Sequence, residues 1–156
     1  MKTPRSLIAK LIFAGFSALV LIMLTLQLVP LGRNHTNPPV IAEPTWDSPR
    51  TRELFFRACA DCHSNETLWP WYSNIAPVSW LVAHDVEEGR EKLNISQWGQ
   101  GRNEADEAAE AVQEGEMPMD IYVLLHPSAN LTESETQELI RGLRLTFGDE
   151  QESDDD

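Results

Sequence analysis

From Leu11 to Val29 the chain carries no charged residue, a run long enough to cross a bilayer core as a helix of about 20 residues. The apolar character continues through Gln27-Leu28-Val29-Pro30-Leu31 without a small-x-small cleavage site, which predicts a retained anchor rather than a removed signal peptide. Lys2, Arg5 and Lys10 precede the run and only Arg33 follows closely, an asymmetry that places the N-terminus in the cytoplasm and exports the remainder.

Past the run the pattern is polar and broken. Residues 30 to 49 hold five of the ten prolines and little apolar periodicity, which reads as a semi-extended spacer. Ser48-Pro49 then combines an N-cap residue with proline at the first helical position, and Leu54, Phe55, Ala58, Cys59 and Cys62 fall on one face of the helix that should begin there. Residues 64 to 80 form an irregular, aromatic-rich loop, and four of the five tryptophans lie between 69 and 98. Val78, Leu81, Val82 and Val86 predict a second helix over 78 to 88. Asn103 is the predicted N-cap of a third, with Glu104 and Asp106 in its first turn, Ala105, Ala108, Ala109 and Val112 on one face, and Gly115 as its end. Thr132-Glu133-Ser134-Glu135 is a capping box, followed at helical spacing by Leu139, Ile140, Leu143 and Phe147 and closed by Gly148.

These elements predict an all-α chain divided into four parts. Residues 1 to 33 make a cytoplasmic stub and transmembrane anchor, 34 to 48 a Pro-rich linker, 49 to 147 a helical domain, and 148 to 156 an acidic tail.

The chemistry concentrates in Cys59-Ala60-Asp61-Cys62-His63. In a C-x-x-C-H run two thiols can add across the two vinyl groups of a haem, and the adjacent histidine becomes the proximal iron ligand. A thioredoxin-like redox pair would need a βαβ setting, and the flanking pattern is helical on both sides. Structural zinc usually takes four protein ligands, so with two cysteines His63 and one more histidine would have to complete the set. A disulfide between Cys59 and Cys62 would close a very short loop and stabilise little. Haem c is attached outside the cytoplasmic membrane of bacteria, so export of this segment and the motif agree with each other, and a bacterial source follows.

A second set of residues concerns the other face of the iron. Glu116-Met117-Pro118-Met119 follows the predicted end of the third helix, and a thioether opposite a proximal histidine raises the potential and favours the reduced state. Met117 is the first candidate, because Pro118 would stiffen the loop that presents it. Met119 and His126 are the alternatives, and His84 is a more remote one. Trp69, Trp71, Tyr72, Pro77 and Trp80 are candidate pocket residues, since tryptophan combines large apolar area with one N–H donor. A loop carbonyl should accept the proximal histidine's N–H, and Pro77 is the candidate for it.

The order of helix, C-x-x-C-H, aromatic loop, helices, methionine loop and C-terminal helix resembles the class I cytochrome c fold. More closely, Cys59 to Thr67, Trp69-Pro70-Trp71-Tyr72-Ser73-Asn74-Ile75-Ala76-Pro77-Val78-Ser79-Trp80, Gly115-Glu116-Met117-Pro118, Tyr122 and His126-Pro127 resemble the bacterial haem-binding domain family of small, membrane-anchored monohaem cytochromes, over residues 45 to 147. The resemblance implies one covalent haem on Cys59 and Cys62 with His63 as axial ligand, and it favours Met117 as the sixth. Many members have a further proline or a lysine after Met-Pro, where this chain has Met119-Asp120, so the choice between the two methionines stays open.

Charge limits the partners. With Lys2, Arg5, Lys10 and Arg33 assigned to the anchor, residues 34 to 156 keep 8 basic against all 25 acidic residues, a net charge of −17. Nucleic acid is excluded, the final Asp-Glu-Gln-Glu-Ser-Asp-Asp-Asp reads as a solvated tail, and a redox partner with a basic docking surface fits. No Ser-His-Asp set, phosphate-binding glycine loop or HExxH motif argues for a hydrolase or kinase. The expectation is an electron carrier on the periplasmic face of the cytoplasmic membrane; the alternative is a haem sensor or peroxidase-like enzyme whose sixth position is open or labile. A domain of about 100 residues buries limited apolar area, so stable folding is expected to depend on haem.

Overall fold

The computed structural model describes residues 4–100 and 104–148. Among them are seven α-helices, two short 3-10 turns and no strand, only an isolated bridge between Ala42 and Gln97. The helices are α1 Pro4–Leu26, α2 Pro49–Ala58, α3 Ala60–His63, α4 Val78–Lys92, α5 Ala108–Gln113, α6 Asp120–Leu125 and α7 Glu133–Phe147; the 3-10 turns are Trp71–Asn74 and Pro127–Ala129. An all-helical fold is what the periodicity predicts.

The described residues divide into two bodies that do not follow chain order. One comprises Met1–His35 with Pro70–His84, the other Thr36–Trp69 with Asp85–Asp156.

In the first body, Ser6–Leu26 of α1 is long and apolar enough to cross a membrane, with none of it buried inside the protein; a signal sequence meets the same description. Thr25 Oγ1 returns a hydrogen bond to the Leu21 carbonyl (2.8 Å), and Arg33 donates to the Gln27 carbonyl (2.8 Å) just past the helix end, where backbone acceptors otherwise lack partners.

In the second body, α2 starts as its cap residues dictate. Ser48 is extended and its Oγ accepts from the Thr51 N–H (3.1 Å), with Pro49 in the first turn. At the far end of the sequence Thr132 and Glu135 exchange the reciprocal bonds of a capping box and start α7. Leu54 and Phe55 of α2, Leu139, Ile140 and Leu143 of α7, Ala109 and Val112 of α5, and Leu93 and Ile95 form one buried core. Trp46 lies over its edge against Phe55 (5.3 Å between centroids) and Phe147 (5.8 Å), and Trp98 stacks on Phe147 (5.2 Å). Helices α2 and α7 approach closely at Gly142, where any β-carbon would collide with the Thr51 side chain. Glu135 joins the same two helices by charge: Arg57 holds both its carboxylate oxygens at 2.8 Å and Arg50 reaches it at 3.0 Å.

Three expectations about local structure are corrected. The helix carrying the motif is not continuous: Cys59, at φ −128°, ends α2 and starts α3, so the first cysteine sits at a bend and the second just beyond it. The alanine-rich helix begins at Ala108 with Glu107 as its cap; Asp106 and Glu107 form a turn ahead of it, and Asn103 lies outside the described residues, as does most of the acidic tail. In α4 only Val86 of the predicted apolar stripe is buried, while Val78 and Leu81 are exposed. Helix α6 was not visible as a pattern because none of its residues is buried.

Candidate functional site

The bend between α2 and α3 turns Cys59, Cys62 and His63 toward one another's neighbourhood without joining them. Both cysteines are free thiols, half-buried. Burial and the second thiol push Cys59 up to about 12; burial, then the Asp85 and Asp61 carboxylates, push Cys62 up to about 12 as well. Both shifts favour the protonated thiol over the thiolate. No cluster of three or more His, Cys, Asp or Glu side chains with metal-binding geometry occurs among the described residues, and no strand exists there to build the βαβ unit of a thioredoxin-like pair.

His63 is gripped by the segment that follows α4. Its backbone carbonyl accepts from the Ile95 N–H (3.0 Å), and its ring Nδ1 lies 3.1 Å from the Leu93 carbonyl. A carbonyl can only accept, so Nδ1 carries the proton and Nε2 keeps its lone pair. Burial holds the imidazole pKa below its usual value, the Leu93 and Gly89 carbonyls opposing it, which preserves the neutral form that ligates metal. The orienting carbonyl is thus Leu93's, where the loop proline Pro77 was expected.

Buried polar residues next to the motif secure this grip. Ser64 Oγ donates to the Ala60 carbonyl (2.7 Å), and the Asn65 N–H donates to Ser96 Oγ (3.0 Å). The Asn65 side-chain amide donates to the Pro39 carbonyl and accepts from Asn94 Nδ2 (2.9 Å). Arg90 donates from Nε to the Ser64 carbonyl (2.8 Å) and from a terminal nitrogen to Thr67 Oγ1 (2.9 Å). Each buried polar group left unpaired here would cost about 1–3 kcal/mol, so the turn holding His63 is fixed by its hydrogen bonds. At Gly89 a β-carbon would come within 2.8 Å of the Cys62 carbonyl; α4 can lie against the motif only because that position has no side chain.

Two cavities open on this motif. One, of about 230 Å³, is lined by Cys59, Cys62, His63, Met117, Pro118, Met119 and Tyr122 together with residues of α4. The other, about 140 Å³, is lined by Cys59, His63, Met117, Glu104, Glu107, Val112 and their neighbours. Cys59, His63, Lys92 and Met117 border both. Met119 borders only the larger one, and His126 borders neither; its ring stacks on Tyr122 (4.1 Å between centroids), with Nδ1 3.0 Å from the Tyr122 carbonyl. His84 is exposed on α4 in the first body.

The aromatic candidates lie elsewhere. Trp69 donates its indole N–H to Asn37 Oδ1 (3.1 Å), while Trp71, Tyr72, Pro77 and Trp80 belong to the body that contains α1. Neither cavity counts any of the five among its lining residues.

Tyr122 had been noted only as part of a resemblance, yet it ties α6 to the motif: its hydroxyl donates to Asp61 Oδ2 (2.7 Å), and Asp61 Oδ1 accepts from the Leu68 N–H (2.8 Å). Burial first, and the Asp61 carboxylate second, raise the phenol well above its ordinary range. Leu93 and Gly89 gave no sequence signal, since a backbone carbonyl and a missing side chain are visible only once the chain has folded.

The donor set fits a c-type haem: two protonated thiols three residues apart, a neutral histidine with Nε2 available, a thioether bordering the same space, and apolar cavities beside them. The model of the haem-binding domain family matches residues 21–144, most of the chain. Curated proteins and solved structures give no match.

Proposed function

The chain belongs to the haem-binding domain family, and on that premise we propose that it is a membrane-anchored monohaem c-type cytochrome that carries electrons on the periplasmic side of the cytoplasmic membrane. The observation that carries the reading is the grouping of Cys59, Cys62, His63 and Met117 around shared cavity space, with His63 held in the tautomer that leaves Nε2 for a metal. Haem supplies a one-electron iron couple when bound.

Each residue has a separate task. The Cys59 and Cys62 thiols would hold the group, each S–H adding across one vinyl to give a thioether with no net oxidation. Leu93 fixes the His63 ring through Nδ1–H, raising the basicity of Nε2. Met117 offers sulfur, a soft donor that favours the reduced metal, and is preferred over Met119 because it borders both cavities with His63. Lys92 also borders both, 3.4 Å from Glu88, and can take a propionate as counter-ion. With His63 and Met117 both engaged, substrate would have no direct access to the metal, and exchange with redox partner proteins would run through the edge of the group.

The test is the visible spectrum of the full chain made in a host with the cytochrome c assembly machinery, with haem retention checked after denaturation. Covalent haem and a far-red methionine-to-iron band are expected; Met117→Ala abolishes the band and Met119→Ala keeps it. Covalent haem without that band in the unaltered chain, together with rapid carbon monoxide binding, would replace electron carriage by sensing or peroxidase-like chemistry. Absence of covalent haem would overturn the reading.

A further inference from the structure

The two longest stretches of the chain free of Asp, Glu, Lys and Arg are residues 11–32 and 67–84, far apart in sequence. Most of the second, residues 70–84, falls in the same body as the first. Three contacts stitch them together. The Gln27 side-chain amide, just beyond α1, grips the backbone of Ala76 at two points, donating from Nε2 to its carbonyl (2.9 Å) and accepting at Oε1 from its N–H (3.1 Å). The same amide also donates to the Met23 carbonyl (3.0 Å), so it is locked to α1. Gly32, at φ +67°, lies so close to the Ser79 backbone that a β-carbon would collide with it. His35 Nε2 lies 3.1 Å from the Ser73 carbonyl.

The surface this leaves is apolar. Leu28, Leu31, Trp71, Ile75, Val78 and Leu81 are all exposed, Trp71 to 76%. Large apolar groups exposed together on one small body point to an interaction surface, and the partner follows from continuity with α1. Its 21-residue span Ser6–Leu26 rises about 1.5 Å per residue, which uses up a hydrocarbon core of about 30 Å. Residues 27–35 therefore emerge at headgroup level, and a segment bonded to them emerges there too. Tryptophan is the residue type that concentrates at that level, with its ring in the apolar zone and its N–H toward water. The lack of acidic groups matters as well, because a chain of net charge −13 is otherwise repelled by anionic lipid.

We propose that residues 70–81 form an interfacial seat on the membrane, with Trp71, Ile75, Val78 and Leu81 entering the boundary between headgroups and acyl chains and Gln27 fixing the segment to the end of the span. This rests on the proposed anchoring by α1, and the two ideas fail differently.

The experiment uses the full haem-loaded chain in vesicles of phosphatidylethanolamine and phosphatidylglycerol that contain a phospholipid with a photoactivatable diazirine near its glycerol, followed by mass mapping of the adducts. Adducts are expected on α1 and also on residues 70–81, with Trp71 foremost. Gln27→Leu should lower labelling of 70–81 several-fold while labelling of α1 and the visible spectrum stay unchanged. Adducts on α1 with none on 70–81, or labelling of 70–81 unaffected by Gln27→Leu, would overturn the seat and leave the anchor standing. An unlabelled α1 would overturn both.

Discussion

Segments 54–63 and 69–80 are both rich in large apolar side chains, yet Leu54 and Phe55 are completely or almost completely buried while Trp71 stands 76% exposed. The first segment packs into a core with α5 and α7 and presents two thiols and an imidazole to a cavity. The second is joined to the residues that follow α1 by the Gln27 side-chain amide, which bonds to the Ala76 backbone. Hydrophobicity alone does not say what a side chain will be buried against. Water drives both sets out of solution, but the medium that receives them is protein in one case and, on our proposal, lipid in the other.

The sharpest way to break this contrast is truncation in each segment. Phe55→Ala should cost about 3–5 kcal/mol, the usual penalty for emptying a buried aromatic site, whereas Trp71→Ala should stay within about 0.5 kcal/mol, as exposed positions do. Denaturant unfolding of the haem-loaded chain in detergent, which removes the bilayer from both measurements, checks the pair; equal losses would mean that Trp71 belongs to a core.

A smaller effect sharpens the description of the motif side. Tyr122→Phe removes the hydroxyl that binds the Asp61 carboxylate at 2.7 Å, and a hydrogen bond to a charged group is worth about 1.5–3 kcal/mol. The loss should appear in unfolding and also as weaker methionine ligation in the far-red band, because α6 follows directly on Met119. An unchanged band with lowered stability would limit Tyr122 to holding α6 in place.

Next in size is the start of α7. Thr132→Ala removes a capping side chain and should cost about 1 kcal/mol, read from the denaturation midpoint and with no change in the visible spectrum. The smallest effect is on pH dependence. The Arg57 guanidinium, then the Thr132 N–H and Arg50, hold the Glu135 carboxyl far below its ordinary range. A group depressed in the folded state stabilises it fully above the unfolded pKa of about 4.3, and that contribution disappears as pH falls through the folded value. Glu135→Gln should therefore flatten the acid limb of the stability profile and leave its slope above pH 6 unchanged; an unaltered acid limb would show that the pair with Arg57 is fully screened.

Much of the local structure was legible because it depends on near neighbours in sequence. Ser48 with Pro49, the Thr132 and Glu135 box, and Gly148, at φ +92° just past α7, act over three or four residues, and the apolar run of α1 needs only length and the absence of charge. The bend at Cys59 was not legible, since the helical face that includes both cysteines looks continuous on paper. The start of α5 was equally hidden, because Ala105 is buried outside any helix and so imitates a helical face.

What the sequence by itself determined is therefore the covalent and short-range content: an all-helical chain, a span-length apolar helix, and a C-x-x-C-H motif whose spacing suits haem attachment. Only the tertiary structure decided which atoms meet. Leu93 reaches His63 across thirty positions and Gln27 reaches Ala76 across forty-nine, and such pairings depend on how α4 and the loops are carried by packing elsewhere. A backbone carbonyl is present at every residue, so its use as a partner leaves no mark in the sequence until folding selects one.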